Sequence, residues 1–147
     1  MHIFKNRQTK LLSPTKELFD SIIGEGMEIH GRVVAYKSLR IDGSVFGNVE
    51  IPEGKKNITV AVGAHGKVFG DIKAYRVLIG GRVEGNIYAV ERVELHANAN
   101  VMGDITYSDI GVEPGAEVVG LLMKRNGRKR ELADAGKLIK KIQDAKN

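Results

Sequence analysis

A five-residue unit, apolar, any, Gly, any, apolar, occurs six times along this chain, and such a repeat constrains the fold more than any single residue can. The copies are Ile29 to Val33, Val45 to Val49, Val68 to Ile72, Val83 to Ile87, Val101 to Ile105 and Val118 to Leu122. Their first positions lie 16, 23, 15, 18 and 17 residues apart. The one long interval contains Pro52-Glu53-Gly54-Lys55-Lys56-Asn57, which has the composition of a surface loop. About ten residues after each of the first five copies comes a second alternation: Leu39/Ile41, Ile58/Val60/Val62, Val77/Ile79, Val93/Leu95 and Ile110/Val112. Period-2 alternation in Val and Ile signals short strands, and helical i, i+3, i+4 spacing is absent from this region. A period near 18 residues, with small residues between the strands (Gly43, Gly66, Gly81, Ala99, Ala116), fits one coil of a parallel β-helix.

The expected fold is therefore all-β, a single-domain parallel β-helix of about six coils. At about 4.8 Å per coil the rod is roughly 30 Å long. Val45, Val68, Val83, Val101 and Val118 should form one inner column, and Asn48, Asp71, Asn86 and Asp104 a second beside the repeat glycines. Asn and Asp accept turn conformations and bond local backbone, so the second column reads as a structural ladder. The core must be built from aliphatic residues, because 42% of the chain is hydrophobic but only 5% is aromatic, with no Trp. The absence of Cys excludes disulfides, thiolate metal sites and thiol nucleophiles. No apolar run approaches the roughly 18 residues that cross a bilayer, and the first twenty residues lack a secretory signal, so a cytoplasmic location is expected.

Charge divides the chain. The net +5 resolves into +2 over residues 1–23, −3 over residues 24–123 and +6 over residues 124–147. Attraction to lipid or nucleic acid thus belongs to the ends. Three segments follow: a leader at 1–20, the β-helix at 21–123 and a basic tail at 124–147.

Catalytic readings find little support. Parallel β-helices include hexapeptide-repeat acyltransferases and carbonic-anhydrase-like enzymes, and His30, His65 and His96 are the candidate ligands or bases. They occupy different positions relative to the repeat, so they should not converge as zinc requires. Strict six-residue spacing fails after Val62 to Val68. The pairs Gly54-Lys55, Gly66-Lys67 and Gly136-Lys137 lack the flanking residues of a phosphate-cradling loop. Glu91 and Glu94 fall in an alternating segment and are expected on solvated surface. No catalytic, cofactor or metal residue is assigned, and no enzymatic activity is expected.

The ends of a stacked rod expose unpaired backbone groups, which template further pairing unless covered. In the last copy, Val118-Val119-Gly120-Leu121-Leu122-Met123, the ladder Asn or Asp gives way to Leu121. These apolar residues either complete the core beneath the tail or stack on another subunit. The second reading is adopted, with Val118, Val119, Leu121 and Leu122 at one end and Ile29 and Val33 at the other as the polymerisation interface.

Gly24-Glu25-Gly26, the repeated Val-x-Gly-Asn/Asp-Ile units and Val112-Glu113-Pro114-Gly115-Ala116 resemble the bactofilin domain, over roughly residues 21–123. The resemblance implies a right-handed β-helix and a bacterial cytoskeletal homopolymer that assembles through its end coils without nucleotide or cofactor. It also implies membrane-associated scaffolds that localise morphogenetic or cell-wall enzymes. Where a family member often carries an aromatic in the last coil, this chain has Val118 and Val119.

Ile3 and Phe4 beside Lys5, Arg7 and Lys10 resemble the short membrane-targeting leader of some bactofilins. Each cation contributes about 1 kcal/mol near an anionic surface, and a filament multiplies the contacts, which places the polymer on the inner face of the cell membrane. In the tail, Leu132, Ala135, Leu138, Ile139 and Ile142 recur at helical spacing, a marginal helix interrupted by Gly136. Its cationic cluster leaves a nucleic-acid adaptor as an alternative, although no aromatics are interleaved for base stacking and nucleic acid is not the expected partner.

Overall fold

The computed structural model describes residues 18–125. The leader residues Ile3, Phe4, Lys5, Arg7 and Lys10, and the tail beyond Arg125, lie outside the described residues. Within them the chain forms sixteen strands and no α-helix, wound into six coils of three faces each.

Face one stacks β1 (Ser21–Ile23), β4 (Leu39–Ile41), β7 (Thr59–Val62), the second half of β9 (Ile72–Ile79), the second half of β11 (Ile87–Leu95) and β14 (Asp109–Val112). Face two stacks β2 (Glu28–His30), β5 (Ser44–Phe46), β8 (Lys67–Phe69), β10 (Arg82–Glu84), β12 (Asn100–Met102) and β15 (Glu117–Val119). Face three stacks β3 (Val33–Val34), β6 (Val49–Glu50), the first halves of β9 and β11, β13 (Ile105–Tyr107) and β16 (Leu122–Lys124). Every pairing is parallel, and β9 and β11 turn the corner from face three to face one without a break. The five-residue repeat thus spans the corner between faces two and three, and the second alternation is face one. The surface loop appears where its composition placed it: residues 53–57 are exposed between β6 and β7.

Register carries the core. Ile29, Val45, Val68, Val83, Val101 and Val118 are successive partners on face two. Ile23, Ile41, Val62, Ile79, Leu95 and Val112 are partners on face one, and Val33, Val49, Ile72, Ile87, Ile105 and Leu122 on face three. Through the middle coils these side chains are wholly or almost wholly buried. Each such burial contributes about 1.5–3 kcal/mol, enough for a narrow aliphatic interior to hold the stack together without aromatics.

The repeat glycine has a steric cause. At the corner between faces two and three, each coil approaches the one before so closely that a Cβ on Gly85 would lie 2.1 Å from the carbonyl oxygen of Gly70, and the same contact recurs along the column to Gly120. That neighbour is backbone and cannot move aside. Gly31, on the first coil, has nothing within 4 Å at the same place. Gly85→Ala is therefore expected to cost about 3 kcal/mol or more, whereas Gly31→Ala should cost only about 1 kcal/mol from its positive φ; urea unfolding of the two variants checks the difference, and equal costs would contradict it.

Candidate polymerisation interface

The corner that needs glycine also orders the polar ladder. The side-chain oxygen of Asn48 accepts the backbone N–H of Asp71 at 2.8 Å, Asp71 accepts that of Asn86 at 2.8 Å, Asn86 that of Asp104 at 2.9 Å, and Asp104 that of Leu121 at 3.0 Å. Each coil from the second to the fifth offers an acceptor to the next. Leu121 receives the last bond and has no side-chain acceptor to pass on, so the polar ladder stops where the rod stops.

The backbone ladders stop there too. Among the described residues, strands β14, β15 and β16 are each paired on one side only, by β11, β12 and β13, and β1, β2 and β3 are likewise one-sided at the opposite end. The apolar columns run on to the last coil and are partly exposed there. Val112 is 52% exposed and Leu122 45%, although their column neighbours Leu95 and Ile105 are fully buried. Val118 is half-buried, and the outward-pointing Val119 and Leu121 are 69% and 64% exposed. Leu121 and Leu122 are thus not core residues beneath other chain.

The structure places Val118, Val119, Leu121 and Leu122 together on the last coil and Ile29 and Val33 on the first, five coil spacings or about 24 Å away. The two sets can meet only between molecules. Val112 and the half-buried Ile110 belong to the same end face and were not assigned to it from sequence, because their alternation marked them as core. The same end also carries a charge: Lys124 is the register partner of Tyr107 and is exposed. A second surface is aromatic. His30, Phe46 and Phe69 stack ring on ring down face two, with centroids 4.7 and 5.1 Å apart and planes within 8°. The repeat alignment already put all three at one position.

The histidines do not converge. His30 belongs to that stack on coil one, His65 lies exposed in the turn after β7, and His96 sits two coils further on, its Nδ1 2.8 Å from Glu113. Two coils are about 10 Å. Among the described residues no group of three or more His, Asp or Glu side chains is arranged to hold a metal ion. Glu91 pairs with Arg76 at 3.0 Å on partly exposed surface, as expected. Glu94 corrects its expectation: it is fully buried, with Arg92 Nε at 3.4 Å, although its strand position points it away from the core.

Residues 21–123 match the bactofilin family, described as polymer-forming cytoskeletal. The chain belongs to the bactofilin family. Among curated proteins it is 33% identical to the bactofilin BacO of Myxococcus xanthus over 114 residues, covering 78% of this chain and 86% of that protein. It is 28% identical to the bactofilin BacP of the same organism over 111 residues, covering 76% of this chain and 44% of that protein. No solved structure matches it. Among the described residues no helix is long and apolar enough to cross a membrane.

The polar ladder gives a direct test. Asn86→Ala removes the acceptor for the Asp104 N–H, and the expected cost is about 1 kcal/mol with faster hydrogen exchange at the Asp104 amide. Unchanged exchange there would show that the side chain contributes nothing to stacking.

Proposed function

We propose that this bactofilin is the subunit of a nucleotide-independent bacterial cytoskeletal polymer that assembles end to end through its terminal coils and scaffolds other proteins at the cytoplasmic membrane, in cell-shape or cell-wall morphogenesis. The observation that carries the reading is the exposure of Val112 and Leu122 at the end of columns that are otherwise closed. A coil stacked from a second copy would bury both, pair the free edges of β14, β15 and β16, and require no bound cofactor. The role is structural rather than catalytic. Val118, Val119, Leu121 and Leu122 form one contacting surface, and Ile29 and Val33 belong to the other.

Membrane attachment is assigned to Ile3 and Phe4, inserted at the interface, and to Lys5, Arg7 and Lys10, held against anionic lipid on the cytoplasmic side. One leader binds weakly, and a filament that presents many leaders binds firmly. Morphogenetic or cell-wall enzymes are the class of partner such a scaffold would localise.

Electron microscopy of the purified protein without nucleotide or metal is expected to show filaments. Leu122→Arg would place an uncompensated charge in the stacked interface at about 3 kcal/mol or more, raising the critical concentration at least about 100-fold in sedimentation assays. Filaments that form as readily with Leu122→Arg and with Val119→Arg would move the interface away from the last coil. For the leader, Ile3→Asp with Phe4→Asp should abolish flotation with vesicles containing phosphatidylglycerol while leaving filaments intact; equal flotation would remove the leader from the account.

A further inference from the structure

Face one differs from the other two faces. Strand alternation turns Ala61, Leu78 and Glu94 away from the core, and register puts them in one column on coils three, four and five. All three have no exposed surface. On faces two and three none of the outward strand residues is buried. In a wall one strand thick, an outward side chain loses all contact with solvent only when further chain lies over it.

The cover has a definite extent. The same column begins on coil one with Ile22, which is 60% exposed, and ends on coil six with the part-buried Gly111, so full burial is confined to coils three to five. After β16 the chain leaves face three at the corner that leads onto face one, the passage that β9 and β11 make in the coils below. Residues 126–131 can turn that corner. Residues 132–142, if helical, are about 16 Å long, against about 14 Å from coil six back to coil three. Their apolar positions recur on one side, which suits Ala61 and Leu78. Their cations suit the buried carboxylate of Glu94, since residues 124–147 hold nine Lys or Arg against three Asp or Glu.

We propose that face one is a docking surface for the chain's own C-terminal segment, which lies along coils three to five with Leu138 and Ile139 against Leu78 and Ala61. The tail so placed runs along the side of the rod and leaves the last coil open, in agreement with the exposure of Leu121 and Leu122. The proposal concerns the side of the rod and stands independently of how its ends assemble.

The chain has no cysteine, so one introduced thiol reports a single position. In the full-length protein, Leu78→Cys is expected to react with a maleimide at least tenfold more slowly than Lys67→Cys on open face two. Adding Leu138→Asp and Ile139→Asp should bring the two rates together. Ala61→Cys is read by the same criteria and decides the matter should Leu78→Cys lose its β-sheet circular dichroism. A rate at position 78 equal to that at position 67 in the otherwise native chain overturns the proposal. So does protection that survives the tail substitutions, whether it is lost on Ile3→Asp with Phe4→Asp, which gives the face to the leader, or grows with protein concentration, which gives it to a second copy.

Discussion

Backbone hydrogen bonding between parallel coils holds this molecule together, and a stack bonded in that way has an end it cannot satisfy alone. Most folds hide that difficulty by closing a barrel or covering an edge. Here the coils come so close at the corner between faces two and three that only glycine fits, which keeps each coil in register with the next and commits the chain to a straight stack. The aliphatic columns and the Asn/Asp ladder follow from that register. Both reach the last coil, and among the described residues both stop there without a cap: Leu121 offers no side-chain acceptor, and Val112 and Leu122 keep about half their surface in water.

The end of the molecule and its side at face one therefore have opposite characters. The end presents unpaired edges and open apolar columns, the features that favour addition of another copy. The side at face one presents a column already closed to solvent. A polymer-forming cytoskeletal protein needs this separation, because a rod that was sticky on its sides as well as its ends would grow into sheets or aggregates instead of filaments.

Much of this was legible from the repeat. The spacing of Val45, Val68, Val83, Val101 and Val118 identified five members of one column, and the position of Asn48, Asp71, Asn86 and Asp104 beside the glycines identified a ladder whose bonds the structure resolves individually. Periodicity reports which side chains alternate; it does not report what lies outside the wall. For that reason Glu94 read as solvated surface, and Leu78 gave no sign of burial on its outward side. The end face was partly legible for the same reason: Leu121 broke the polar pattern and stood out, while Val112 obeyed the apolar pattern and did not. Along the apolar columns, interior and terminal coils have one sequence signature, and only stacking distinguishes them. The aromatic column of His30, Phe46 and Phe69 was in view in the alignment, but its stacking depends on the short distance between coils, which letters do not carry.

The central claim is that the last coil is completed by another molecule's end coil as though the helix continued. A cryo-electron microscopy map of the assembled polymer tests it most directly. The account predicts β-strand density that crosses each junction at the spacing of the interior coils, about 4.8 Å, with Val112, Val118 and Leu122 buried against a neighbouring end. Rods that associate side by side, leaving Leu122 in solvent and a gap at the ends, would contradict it.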